Sequence, residues 1–173
     1  MSTVQTKLRR VSGAMLILIP LLAAISIALV WMYWVAGIRV VGDNVLVIAP
    51  VSPVADRQQV GLVAALPGLA AWLAALWSLF RLFLGFRSGS LIHGSTVTRL
   101  RGFSLFSALA ALLDIVTSGA RRWAQGEFDG PLWTHIQIAS EQQAILFSSL
   151  VFYIVSFALA EADEYREEAE GYL

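Results

Sequence analysis

Residues 11–38 read VSGAMLILIPLLAAISIALVWMYWVAGI, 28 positions without one charged side chain. A helix needs about 20 mostly apolar residues to cross the hydrocarbon core of a bilayer, whereas the apolar core of a secretory signal is only about 7–15 residues long. Lys7, Arg9 and Arg10 precede the run as they would in a signal, but its length predicts a span that stays in the membrane. Lipid offers backbone groups no hydrogen-bond partner, so such a run must close its bonds within itself as a helix. That requirement overrides the strand preference of Ile27 and Val30.

Three further stretches satisfy the same criterion, and the spans are expected at 13–36, 61–84, 102–119 and 142–161. Composition agrees: 58% of the 173 residues are hydrophobic and 14% charged, against roughly 45–50% and roughly 25% in a soluble domain. The expected fold is an all-α membrane protein. It is a four-transmembrane-helix bundle forming a single membrane domain over 1–173, with a short extracytoplasmic β-hairpin and a cytoplasmic C-terminal helical extension whose acidic tail covers 162–173. Twelve basic residues balance twelve acidic ones, which gives no basic footprint for direct nucleic-acid binding. Cysteine is absent, so disulfides, thiolate metal sites and cysteine nucleophiles are excluded.

Lys and Arg are retained on the cytoplasmic side of a membrane. Lys7, Arg9 and Arg10 precede the first span, and Arg81, Arg87, Arg99 and Arg101 surround a second connection that has no acid. The first connection offsets Arg39 and Arg57 with Asp43 and Asp56, and the third offsets Arg121 and Arg122 with Glu127, Asp129 and Glu141. Both termini and the second connection are therefore expected in the cytoplasm, the Arg121–Arg122 pair weighing the other way. Trp31, Trp34, Trp123 and Trp133 suit the opposite interface. There, 38–49 is β-branched on both sides of a Gly42-Asp43-Asn44 turn signal, which predicts the hairpin, and 133–138 offers an added strand. On the cytoplasmic side Ser95 is placed to cap a helix that includes Arg99 and Arg101 and runs into span three.

Helices in lipid associate through small residues and interhelical hydrogen bonds. Ala64, Gly68, Ala71 and Ala75 recur at four- and three-residue steps in span two. Ser107, Ala111, Asp114 and Ser118 do so in span three, and Ser149, Tyr153, Ser156 and Ala160 in span four. These stripes are expected to face inward. Asp114 is the one acid well inside a span, and an intramembrane carboxylate must be neutralised or partnered. At about 1.5 Å per residue, Ser149 and Pro67 fall near its level. Pro67 cannot bond the carbonyl of Val63, which a protonated Asp114 could do. Asp114 is thus expected to fix helix register, to reach the outer interface, or to form a proton or ligand site with Ser149 and Tyr153.

Metal binding has little support, since His93 and His135 fall on opposite sides in this topology and neither has ligand spacing. No phosphate loop, acid/base pair or nucleophile motif occurs, so neither a catalytic residue nor a cofactor is expected. In the tail, Glu161, Asp163, Glu164, Glu167, Glu168 and Glu170 are accompanied by Ala160, Tyr165 and Ala169 at helical spacing. This is either a solvated extension of span four or a surface that docks, on a partner or on the Arg87/Arg99/Arg101 connection, by opposite charge.

Gly89-Ser90-Leu91-Ile92-His93 followed by Arg99-Leu100-Arg101-Gly102, together with the ending at 160–173, resembles the domain-of-unknown-function 2975 family of bacterial four-span membrane proteins. His93 and Ala169 depart from that family's pattern. The resemblance implies an inner-membrane location and no assigned activity. It also implies a neighbourhood with a small helix-turn-helix regulator, for which Arg99, Arg101, Glu161, Glu164 and Glu168 would form the facing surface.

The leading expectation is a non-enzymatic regulatory or partner-binding module, in contact with the lipid bilayer and open to homo-oligomer formation. The runner-up is a small transporter or channel-like bundle with a protonatable Asp114, and an intramembrane enzyme ranks third.

Overall fold

The computed structural model describes residues 3–36, 38–41, 47–50, 57–88, 94–127, 131, 136 and 138–171. Four long helices carry the fold: α1 (Thr3–Trp34), α2 (Gln58–Ser88), α3 (Gly94–Ala124) and α4 (Ser140–Gly171). Within them the segments Arg10–Trp34, Gln58–Arg87, Thr96–Ala124 and Ser140–Tyr165 are each long and apolar enough to cross a membrane. Between α1 and α2, strands β1 (Ile38–Val41) and β2 (Val47–Pro50) pair antiparallel, with Ile38 opposite Pro50 and Val41 opposite Val47. The expected turn at Gly42–Asn44 lies outside the described residues, as do His93, Trp133 and His135. Ile136 and Ile138 belong to no strand.

Every helix runs past its apolar window. Arg99 and Arg101 lie on the same unbroken α3 as Asp114, and α4 continues through the acidic tail to Gly171. Backbone hydrogen bonding extends a helix until a terminating residue intervenes, whereas hydropathy marks only the part that matches hydrocarbon. At the end of α3 the terminator is Gly126, with φ 73°. Glu127 N–H bonds Arg122 C=O at 3.1 Å and Gly126 N–H bonds Trp123 C=O at 3.0 Å, the Schellman pattern that a left-handed glycine permits.

The small-residue stripes face inward. Ala71, Ala75, Ala111, Ser107, Ser118, Ser149 and Ser156 are buried, while Ile17, Val63, Val116 and Phe147 are among the most exposed side chains. Hydroxyls inside and bulky aliphatics outside invert the partition of a water-soluble domain, and the exposed surface matches lipid.

Contacts fix the register of neighbouring helices. A Cβ built on Gly102 of α3 would stand 3.2 Å from Ser78 Oγ of α2. On the other side of α3, Ser104 Oγ donates to Ser149 C=O at 2.5 Å, and Phe103 meets the Phe152 ring edge-on at 5.6 Å. Trp34 ends α1 with its indole against Gly61 of α2. A Cβ there would come within 2.7 Å of the indole Cε3 and closer still to two other ring atoms. Trp34 is thus a buried knob joining Ala65 and Ala124, not the interfacial side chain expected. Trp31, one turn earlier, is the exposed one.

Among the described residues the backbones of α1 and α2, of α2 and α3, and of α3 and α4 pack closely, and those of no other two helices do. The bundle is an open row. α1 and α4 stand at its ends, and α2 and α3 form its middle.

Candidate functional site

A cavity of about 670 Å³ lies in the trough of this row and takes its walls from all four helices. Asp114 of α3 stands in it, half-buried, with partners that the sequence did not suggest. Arg121, two turns further along the same helix, reaches back so that Nη1 pairs with Asp114 Oδ1 at 2.5 Å and Nη2 donates to the Asp114 carbonyl at 2.8 Å. From α4, Gln142 Nε2 donates to Asp114 Oδ2 at 2.5 Å. The other end of the same amide is also engaged, because Gln142 Oε1 accepts the backbone N–H of Ala139 at 2.6 Å. That is the backward half of a capping box, so the first turn of α4 fixes the amide that holds Asp114.

This geometry corrects the expected neighbours. Asp114 does not bond the Val63 carbonyl. Val63 points away from the bundle, and the face of α2 nearest Asp114 is Gly68, whose built Cβ would lie 3.9 Å from the Asp114 nitrogen. Nor are Ser149 and Tyr153 at its level. Ser149 lies seven residues beyond Gln142, roughly 10 Å along α4, where its carbonyl serves Ser104. Tyr153 lies deeper still, edge-on to Phe157 at 5.1 Å, and its carbonyl accepts from Ser156 Oγ. Equal distances from the apolar ends of α3 and α4 do not correspond to equal depth, because the two helices begin and end at different levels. Asp114 meets α4 only two residues after that helix begins, so the last two turns of α3 outrun α4, and there Ala124 clusters with Ala65 and Trp34 instead.

At the outrunning end Arg122 joins the cluster. Its Nε pairs with Glu127 Oε2 at 2.5 Å, a contact made by the chain reversal at Gly126. Arg57 lies over the Trp123 ring at 4.3 Å and donates to the Trp123 carbonyl at 3.5 Å. Two guanidinium nitrogens there are buried without a hydrogen-bond acceptor among the described residues, Arg121 Nε and Arg122 Nη1. The deep end is different, formed by Ala110, Ala111, Leu69 and Ile145, with Trp72 Nε1 donating to Ser26 Oγ at 3.3 Å.

Local pattern does not announce Arg121, Arg122 and Gln142, because hydropathy ends the third span at 119 and leaves the two arginines among the loop cations. One signal was available. Asp114 and Arg121 are seven residues apart, which puts them on one helix face.

The second candidate region lies at the opposite end of α3. Arg99 Nη1 donates to the Arg81 carbonyl at 2.7 Å, while Arg101 Nε donates to Ser156 Oγ at 3.3 Å with its guanidinium 4.6 Å from the Phe157 ring centre. Both arginines are used between helices. Glu161, Glu164 and Glu168 are exposed on α4, and among the described residues no ion pair joins them to Arg87, Arg99 or Arg101. No group of three or more His, Cys, Asp or Glu among the described residues could hold a metal ion.

Comparison with known protein families, with curated proteins and with solved structures finds no match to this chain.

Proposed function

We propose that the chain is a multi-pass protein of a bacterial inner membrane, with both termini in the cytoplasm and the hairpin outside, acting as a non-enzymatic regulatory module. It takes a small ligand in the trough and presents α4 to a cytoplasmic partner. The carrying observation is the cavity itself, in which a charged cluster is held at fixed geometry within a bundle otherwise joined by small residues and hydroxyls. A volume of about 670 Å³ lies in the range of roughly 300–1,000 Å³ that ligand sites occupy. Orientation rests on the basic second connection and the N-terminal Lys7, Arg9 and Arg10. The opposing Arg121 and Arg122 are each paired with an acid, Asp114 and Glu127, which lessens their weight as loop cations.

A cytoplasmic partner, for which the family resemblance suggests a helix-turn-helix regulator, would meet the projecting end of α4. By the α3–α4 register, the start of α3 lies near residue 162, so about nine residues of α4 extend beyond it for roughly 13 Å with Glu164 and Glu168 outward. The transporter reading draws on the same cavity and on Asp114. It is weaker because polar lining is concentrated at one end and because Asp114 is engaged by both Arg121 and Gln142. Cross-linking and pull-down from native membranes, with and without residues 161–173, tests the proposal. A specific cytoplasmic partner lost on truncation is expected, and recovery of none from either form refutes it.

A further inference from the structure

The two ends of the trough differ in chemistry, and the difference is ordered along the membrane normal. Following α3 from Arg122 to Ala110 is twelve residues, roughly 18 Å. The first end is lined by Arg121 and Arg122, whose Nε and Nη1 are buried and have no acceptor among the described residues. The other offers Leu69, Ala110, Ala111 and Ile145. Arg121 and Arg122 are adjacent in sequence, and each already has one acid, Asp114 or Glu127. What each retains is a buried donor direction without an acceptor among the described residues, and buried donors away from water call for one. A carboxylate or phosphate oxygen supplies several acceptor sites within one small group and forms the strong, charge-assisted kind of bond with arginine.

The walls add a second constraint. α1 contributes Leu29 and Val30 and α4 contributes Ile145, yet the backbones of α1 and α4 do not pack closely. The trough therefore opens sideways between them, toward the surroundings of the bundle, which in the proposed topology is lipid. A molecule entering by that route must already reside in the bilayer. It must also place its polar group at the surface and its chain toward the middle, which is the orientation the trough presents.

We infer that the trough between α1 and α4 is a lateral-entry site for a single-chain anionic amphiphile, its acidic head at Arg121 and Arg122 and its acyl chain along Leu29, Leu69 and Ile145. This rests on the reading of the cavity as a ligand site, and it names the ligand's chemical class. The head is a carboxylate in a free fatty acid or a phosphate in a lysophospholipid.

Native mass spectrometry of the full chain released from neutral detergent tests it, with oleate, oleoyl-lysophosphatidylglycerol and oleyl alcohol as probes. One saturable adduct is expected with either acidic probe, the better of the two naming the head, and at least about tenfold weaker retention of oleyl alcohol. Arg122→Gln should weaken the acidic adduct by about tenfold. The double variant Asp114→Asn/Arg121→Gln keeps a hydrogen-bonding pair in place of the ion pair, and should lose a similar factor while folding as the parent does. Equal retention of oleyl alcohol, or acidic binding unchanged in both folded variants, overturns the inference, as does binding of neither acid. A partner captured by the tail in the pull-down would survive that failure, so the two readings fall separately.

Discussion

Gly61→Ala is the substitution that most directly questions the packing of α1 on α2. In a helix interior the change by itself favours the helix by about 1 kcal/mol, so a stabilised protein would be the outcome if Gly61 had room. It has none, because the new methyl would collide with the Trp34 ring. The indole has nowhere to go. It is 4% exposed, it meets Tyr33 edge-on at 4.9 Å, it joins Ala65 and Ala124, and its backbone carbonyl accepts from Gln58 Nε2. Overpacking of this kind costs about 1–3 kcal/mol. With a rigid ring walled in on several sides the upper half of that range applies, leaving a net loss of about 1–2 kcal/mol after the helix gain. Unfolding by sodium dodecyl sulfate titration in mixed micelles, followed by helical circular dichroism, measures it. Repeating Gly61→Ala in a Trp34→Leu background removes the obstructing ring, so the loss should shrink or reverse, with a coupling of about 1 kcal/mol or more between the two sites. A Gly61→Ala protein as stable as its parent, or an identical loss in both backgrounds, would refute the knob-on-glycine account.

Asp114→Asn alone strips Arg121 of its anion and should destabilise the bundle by about 1–3 kcal/mol, while Asp114→Asn/Arg121→Gln should recover most of that loss in the same titration. Ser104→Ala removes the hydroxyl that spans α3 and α4 and should cost only about 0.6 kcal/mol, the average for hydrogen bonds between helices in lipid. A much larger loss would mean that the Ser104–Ser149 contact carries more than one bond.

The number of long helices, the inward stripes and the continuity of Arg99 with span three were legible in the sequence because each follows from local pattern. Small residues at three- and four-residue steps mark a close-packing face whatever lies opposite, and Ala75 and Ser156, both fully buried, lie on such faces. The partners of Asp114 were not legible. They depend on the register of α3 against α4, and register is set by pairs such as Ser104 with Ser149 and Phe103 with Phe152, which no single helix announces. Trp34 was misjudged for a related reason. Its spacing from Trp31 suits an interfacial belt, and only the arrival of Gly61, 27 positions later, leaves the room that buries it.

The trough follows from where the bulky residues are. α2 and α3 approach closely because Gly68, Ala71, Ala75, Ala110 and Ala111 let their backbones meet, and small contact residues are what bring helices together in lipid. α3 and α4 come together over Ser104, Ser149 and Ser156 in the same way. The sides of α1 and α4 that look across the trough carry Leu29, Val30, Met32 and Ile145, side chains that hold backbones apart. Closing the row into a ring would exchange lipid contacts on these residues for protein contacts of the same apolar kind, and a bilayer gives little reward for that exchange. A water-soluble bundle with this surface would close or aggregate to hide it. In lipid the open row lacks that drive to close.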